Sequence, residues 1–250
     1  MSESDIPKIF TAEYYDRRYF AAKKGEGKKF RRPNGSIDEW SYYNELGIWE
    51  GCWPVAKAWK EIFNPRNLLD VGCGRACFVK AARDYGIEAY GFDFSRFAVE
   101  NPMPGVKKEW LKLHDATKPW PYKDKSFDLI VMLDFWEHIY IDDIPKVIRE
   151  MYRVGRRWFF FEVATVGGGS GSGIHEKGYI IRKGEPIPIE LEANAVAGHV
   201  TVQPRSFWED MFNEYGDVLI RRDLEEYFRA LVPKEYLVNW HTIIVLELME

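Results

Sequence analysis

The chain has 250 residues, of which 46% are hydrophobic and 30% are charged, and its formal net charge is −4. This length suits one α/β domain with a well-packed core and some added segments, while the charge excludes a globally basic nucleic-acid-binding protein. No apolar run approaches the ~20 residues of a membrane helix and no secretory signal pattern is present, so we expect a cytoplasmic protein outside the membrane.

The first segment, residues 1–53, is rich in aromatic and basic side chains. Aromatic residues crowd positions 14–20 and recur through Trp40, Tyr42, Tyr43, Trp49 and Trp53. Their apolar area is too large to leave in water, so we expect a cap that folds over the site. Basic residues crowd positions 17–32. Two interpretations of this segment remain: a lid over a ligand, or aromatic packing with a solvated basic loop.

A nucleotide-binding corner follows a helix predicted over residues 54–63. The run Asn67-Leu-Leu-Asp-Val-Gly-Cys-Gly-Arg-Ala-Cys77 is a short apolar strand that breaks into a glycine turn and opens a helix predicted over 75–85. Gly72 and Gly74 permit backbone angles closed to other residues and let a ligand approach the main chain. The following helix offers free N–H groups and the positive end of its dipole.

The residues around this turn favour one kind of nucleotide. A dinucleotide fold requires glycine or alanine where this chain has Cys77, and an acid at position 70 suits a ligand that carries an amine. The run Asp70-Val-Gly-Cys-Gly74 resembles the first motif of the class I S-adenosylmethionine-dependent methyltransferases, with Ala76 in place of the third glycine. The resemblance implies S-adenosylmethionine as cofactor, S-adenosylhomocysteine as product, and four residues at the methionine end of the cofactor: Asp70, Gly72, Cys73 and Gly74.

Further cofactor positions follow along the chain. Residues 88–93 predict a second strand that ends in Asp93, nineteen residues past Gly74, where a carboxylate can accept both ribose hydroxyls. Residues 106–114 predict a third strand that leads into Asp115-Ala116, which the resemblance places at the adenine ring. Phe94 and Leu133, at the ends of strands two and four, complete the predicted cofactor residues.

The catalytic candidates come after the fourth strand, residues 129–133. Asp134-Phe-Trp-Glu-His138 stands at its carboxyl end, where open α/β sheets place their chemistry. His138 can serve as a general base, and Asp134 and His199 are further candidates. The alternatives are that Glu137-His138 is scaffolding beside the cofactor and that His175 and His199 are inert surface histidines.

Several other chemistries are disfavoured by what the sequence lacks. No Pro-Pro-aromatic corner follows strand four, as amino methylation of DNA bases would require, and no cysteine follows a proline, as cytosine C5 methylation would require. Cys52, Cys73 and Cys77 lack the second pair of a zinc site, and the acids near residue 137 show no clear ligand order. We therefore expect no metal.

The remaining elements complete the predicted fold. Residues 141–154 predict a helix, and residues 157–163 predict a fifth strand. After these come a helix with a serine cap at Ser206, a strand at 217–222, a helix near 224–231 and a strand at 240–248. The Gly167–Gly173 run opens a segment, 166–203, that we interpret as a mobile flap, with a passive linker or an engineered replacement as alternatives. The fold class is α/β: a seven-stranded, mostly parallel, doubly wound sheet with an antiparallel final strand, an aromatic N-terminal cap and an inserted flap. The segments are 1–53 cap, 54–165 cofactor-binding core, 166–203 flap and 204–250 C-terminal helix and strand pair.

Three functions are compatible with this sequence. The first is transfer of a methyl group to an oxygen or nitrogen of a small-molecule acceptor, such as a sugar, a lipid precursor or a secondary metabolite, beneath the aromatic cap. The second is methylation of RNA or protein gripped by residues 17–32. The third is a non-catalytic cofactor-binding subunit. No motif specifies the acceptor or the oligomeric state.

Overall fold

The computed structural model describes residues 4–41, 49–166, 178–237 and 239–249. Tyr42, Tyr43, the Gly167–Gly173 run and His175 lie outside these residues. The strands, in chain order, are β1 Lys28–Arg31, β2 Ile37–Trp40, β3 Asn67–Val71, β4 Glu88–Asp93, β5 Leu111–Leu113, β6 Phe127–Leu133, β7 Gly155–Glu162, β8 Tyr179–Ile180, β9 Thr201–Val202, β10 Val218–Ile220 and β11 Ile243–Leu248. The α-helices are α1 Arg17–Phe20, α2 Cys52–Phe63, α3 Cys77–Asp84, α4 Arg96–Glu100, α5 Ile144–Val154, α6 Glu192–Ala195, α7 Arg205–Tyr215 and α8 Arg222–Leu231.

The central sheet has seven strands in the order β5-β4-β3-β6-β7-β11-β10. Strands β3 to β7 pair in parallel, whereas β11 runs antiparallel to both β7 and β10. Because β3 lies between β4 and β6, the chain changes its direction of travel across the sheet at this point and leaves a crevice at the carboxyl ends of the strands. The predicted seven-stranded, mostly parallel sheet with an antiparallel final strand is confirmed.

Helices cover both faces of this sheet. One apolar cluster joins α2, α3 and α8 to β3, and a second joins α5 and α7 to the other face. The apolar run of β6 explains this double cover, since residues 129–132 are fully buried.

Several local predictions were wrong, among them the following three. Helix α3 begins at Cys77, two residues later than predicted, because Ala76 adopts a left-handed φ of 66°. The third strand shortens to Leu111–Leu113 because a 3₁₀ turn occupies Lys108–Trp110. Ser206 does not cap α7: it lies inside the helix, which follows the N-cap residue Pro204.

The N-terminal segment and the described part of the predicted flap pack together. Strands β1 and β2 form one antiparallel pair, and β8 and β9 form another. A third apolar cluster joins the aromatic residues of positions 10–20 to Tyr140, Ile181 and Val200. Among the described residues, no helix combines the length and apolar character needed to cross a bilayer.

Candidate active site

The floor of the cleft is the glycine turn between β3 and α3. Gly72 and Gly74 have left-handed φ values of 75° and 50°, and the N–H groups of Gly72 and Cys73 donate to the Phe92 carbonyl at 2.9 and 3.1 Å. A Cβ on Gly72 would lie 2.6 Å from the ring of Phe135. Glycine is therefore required at 72 both by backbone conformation and by space. Ala76 holds its left-handed conformation in the buried core, where it costs roughly 1–2 kcal/mol relative to a glycine.

Asp70 lies at the end of β3 with 2% of its surface exposed. Its Oδ2 atom has no hydrogen-bond partner among the described residues, although the side chain lines the cleft. Burial raises the pKa of this carboxyl well above its ordinary value, and the neighbouring charge of Asp93 raises it further. A buried carboxylate oxygen without a donor is a ready acceptor for a ligand's amino group.

Asp93 lies at the end of β4 and is tied to the glycine turn. Its Oδ2 accepts the Gly74 N–H and its Oδ1 accepts the Ser95 N–H, both at 2.8 Å. Burial raises the pKa of Asp93 to about 6, although these backbone hydrogen bonds act in the opposite direction. The carboxylate is thus held rigidly at the cleft wall, with lone pairs left for further donors.

The remaining residues predicted for the cofactor line the same cleft. Cys73, Phe94, Ala116 and Leu133 are among its walls. Asp115 also faces it, and its Oδ1 accepts both the backbone N–H and the hydroxyl of Thr117 at 2.8 Å. The sequence did not predict Thr117, whose position directly after the Asp115-Ala116 pair is the one signal that could have indicated it.

Asp134 lines the cleft at the carboxyl end of β6, in a left-handed conformation with a φ of 47°. Its N–H donates to the Glu162 carbonyl at 3.0 Å, and its Oδ1 accepts the Asn239 side-chain amide at 2.6 Å. Glu162 is fully buried and accepts the backbone N–H of Asn239. Burial, and then the nearby Asp134, raise the pKa of Glu162 well above its ordinary value. The sequence did not predict Glu162 or Asn239. Glu162 could have been found, because it is an acid that ends a buried strand, as Asp70 and Asp93 are. Nothing in the local sequence indicates Asn239.

His138 and His199 meet beside Asp134. Their ring centroids are 5.1 Å apart in an edge-to-face arrangement. The interpretation of His199 as an inert surface residue is wrong, because only 8% of its surface is exposed. The contact arises because the Val200 N–H donates to the Glu137 carbonyl at 2.7 Å, which brings the start of β9 against the turn at 136–138.

Burial shifts the pKa values of the titratable side chains in the turn at 136–138. Burial lowers the pKa of His138 to about 4, and an interaction with the Gly198 backbone opposes the shift. Glu137 is fully buried; its Oε1 accepts the Ala164 N–H at 3.2 Å, and its Oε2 has no hydrogen-bond partner among the described residues. Burial, followed by the charge of Asp134, raises the pKa of Glu137 well above its ordinary value. His138 is therefore neutral at neutral pH and is a weak base.

Aromatic residues of the N-terminal segment form the roof of the cleft. Phe10, Tyr15, Tyr19 and Phe20 line it from above. The Tyr19 hydroxyl donates to the Ala197 carbonyl at 2.8 Å, which ties the roof to the segment before β9. The aromatic density of positions 14–20 is the sequence signal that predicts this cap.

The chain is similar in sequence to known methyltransferases. The sequence profile of a family described as a methyltransferase domain matches residues 52–220. Norajmaline N-methyltransferase from Rauvolfia serpentina is 37% identical over 97 residues, which cover 36% of this chain and 32% of that protein. Ubiquinone biosynthesis O-methyltransferase from Pelagibacter ubique is 29% identical over 102 residues, which cover 40% of this chain and 42% of that protein. The match thus spans about a third of the first relative and less than half of the second.

Solved structures share the fold. An S-adenosylmethionine-dependent methyltransferase from Mesorhizobium loti superimposes with a TM-score of 0.52 at 18% identity, over 79% of this chain and 97% of that one. Another from Archaeoglobus fulgidus gives a TM-score of 0.51 at 16% identity, over 77% of this chain and 92% of that one. At these identities the likeness concerns the fold.

Proposed function

The chain belongs to the methyltransferase-domain family, whose class I members use S-adenosylmethionine as cofactor, and from this premise we propose that it methylates an oxygen or nitrogen of a small-molecule acceptor. S-adenosylhomocysteine is the product of the cofactor in such a reaction.

The residues of the cleft fit the cofactor. Gly72 and Gly74 line the cleft, so a ligand can lie against the backbone of the turn. Asp70 offers an unpartnered buried oxygen for the amino group of the methionine end, and Asp93 offers carboxylate lone pairs for the ribose hydroxyls. Asp115 and Ala116 line the same cleft, and the family resemblance assigns them to the adenine ring.

When bound, the cofactor supplies an electrophilic methyl group that a lone pair of the acceptor can attack in line. The chain's own task is to hold and align the acceptor and to keep water out. Asp134 and His138 line the cleft and are the side chains we propose to contact the acceptor, while His199 fixes the ring of His138. Because its pKa is about 4, His138 orients an acceptor better than it removes a proton from one.

The aromatic roof is the observation that carries the choice of a small acceptor. Phe10, Tyr15, Tyr19 and Phe20 bury much of their rings in the third apolar cluster and line the cleft. A cleft lined by several aromatic rings suits a compact molecule with apolar surface better than a polymer. The names of the two relatives, one an N-methyltransferase and the other an O-methyltransferase, agree with an oxygen or nitrogen acceptor.

The basic segment offers little to a polyanion. The Lys28 side chain is 6% exposed, pairs with Asp16 at 2.9 Å and lies 4.6 Å from the ring centre of Tyr14. Other cations of residues 17–32 are paired with carboxylates in the following pairs: Arg17 with Glu26, Arg18 with Asp5, Arg31 with Glu192, and Arg32 with Asp38. These pairs neutralise much of the charge that RNA binding would require.

Methyl-labelled S-adenosylmethionine and a fractionated cell extract test the proposal. We expect label in the low-molecular-weight fraction with the wild-type chain and none with Asp70→Asn, which replaces one carboxyl oxygen with an NH₂ donor and cannot carry a negative charge. Label confined to RNA or protein would contradict the small-molecule proposal. Binding of S-adenosylhomocysteine without any label transfer would favour the non-catalytic subunit instead.

A further inference from the structure

A cluster of possible metal ligands lies beside the cleft. Glu137, His138 and His199 each present one ligand atom, and these atoms lie within 4.8 Å of one another. Glu137 is fully buried, His199 is 8% exposed, and His138 lines the cleft. We call this group the Glu-His-His cluster.

The backbone holds the cluster together before any ligand arrives. The Val200 N–H donates to the Glu137 carbonyl at 2.7 Å, and the Thr201 hydroxyl donates to the Ile139 carbonyl at 2.8 Å. These bonds on both sides of His138 fix the register of the chain that carries His199. Gly198 fits here with a left-handed φ of 89°, since a Cβ would lie 2.8 Å from Nδ1 of His138.

One atom of the cluster is suited to bind a cation. Oε2 of Glu137 is buried and has no hydrogen-bond partner among the described residues. A buried carboxyl oxygen left without a partner is destabilising. A cation held between these side chains would satisfy the carboxylate.

We propose that the Glu-His-His cluster binds a divalent transition-metal ion, of the Zn²⁺, Mn²⁺ or Fe²⁺ class. Two imidazoles and one carboxylate form a ligand set that such ions use, with coordination positions left open. Protein ligands lie about 2.0–2.2 Å from Zn²⁺, so the three ligand atoms, now within 4.8 Å of one another, would move closer together when an ion binds. The expectation of no metal came from the linear sequence, in which His199 is far from Glu137-His138.

The ion gives the cleft a means of selecting its acceptor. Because His138 lines the cleft, the site is open on that side to an oxygen-bearing acceptor. A bound divalent ion attracts a hydroxyl or carboxyl oxygen and makes a hydroxyl proton easier to lose. This role rests on the proposed function and specifies an acceptor with an oxygen ligand, whereas ion binding itself does not depend on it.

Titration of the full chain, stripped with a chelator, with Co²⁺ tests the inference. Co²⁺ in a site of nitrogen and oxygen ligands gives visible absorption bands, and added Zn²⁺ should displace it. We expect a single equivalent to bind to the wild-type protein. Glu137→Gln and His199→Gln should each weaken Co²⁺ binding at least about tenfold. The matched control His241→Gln changes an exposed histidine outside the cluster and should bind Co²⁺ as the wild type does.

Calorimetric binding of S-adenosylhomocysteine to every variant shows whether the fold and the cofactor corner survive. Loss of Co²⁺ binding with retained nucleoside binding supports the inference. Wild-type protein that binds no Co²⁺, or cluster variants that bind it like the wild type, overturns it. If Glu137→Gln fails to fold, the wild-type titration and His199→Gln still decide. Failure of the proposed function would instead leave Co²⁺ binding intact while nucleoside binding or methyl transfer is absent.

Discussion

Replacement of Asp93 by asparagine tests the cofactor corner most directly. The two carboxylate oxygens of Asp93 accept the N–H groups of Gly74 and Ser95, each at 2.8 Å. Asparagine keeps one of these acceptors but turns an NH₂ group toward the other N–H donor. The substitution therefore removes the negative charge and disturbs the glycine turn while it changes side-chain volume very little.

The expected magnitude follows from the lost hydrogen bonds. A hydrogen bond to a charged group contributes about 1.5–3 kcal/mol, and each 1.4 kcal/mol is a tenfold change in affinity. If one ribose hydroxyl loses its charged acceptor, affinity for S-adenosylhomocysteine should fall roughly 10- to 100-fold. The N–H left facing an NH₂ group should also lower the free energy of unfolding by about 1–3 kcal/mol.

Isothermal titration with S-adenosylhomocysteine at pH 8, with urea unfolding of the same samples, measures both effects. Glu88→Gln is the matched control, because Glu88 is an exposed acid at the opposite end of β4. We expect this control to bind the nucleoside as the wild type does. A folded Asp93→Asn protein with wild-type affinity would refute the assignment of the ribose to Asp93.

Three further predictions concern pH and backbone geometry. Because the folded-state pKa of Asp93, about 6, lies above the ordinary 3.8, the contribution of Asp93 to the free energy of unfolding should fall by about 2 kcal/mol as pH rises from about 4 to 6. Urea unfolding curves of wild type and Asp93→Asn across this range should differ in their pH dependence, and parallel pH dependence would contradict the prediction. Gly72→Ala should abolish nucleoside binding in calorimetry. Gly86 has the same φ of 75° but open space around its Cβ position, so Gly86→Ala should lower the free energy of unfolding through backbone strain and leave nucleoside binding unchanged. Gly198→Ala should lower the melting temperature more than Gly25→Ala, since both have a φ of 89° but only the former meets neighbouring side chains; equal melting temperatures would show that the turn can relax.

The sequence alone determined the fold and the cofactor corner. The family match confirms the resemblance that Asp70-Val-Gly-Cys-Gly74 carries. These signals are local, because apolar runs that end in an acid or a glycine turn mark strand ends, and parallel strands bring their carboxyl ends to one edge of the sheet. For this reason Asp70, Asp93 and Asp115, which are separated along the chain, line one cleft.

Only the tertiary structure decided what surrounds Asp134 and His138, where we propose that the acceptor binds. His199 reaches His138 because the β9 segment pairs with the turn after β6, a contact that no local periodicity specifies. Asn239 meets Asp134 for a similar reason, since the final antiparallel strand is preceded by a turn at this edge. The unpartnered oxygen of Glu137 is likewise a product of packing. Burial and hydrogen bonding between distant segments depend on how the helices and strands assemble, whereas the cofactor corner depends on residues that are neighbours along the chain.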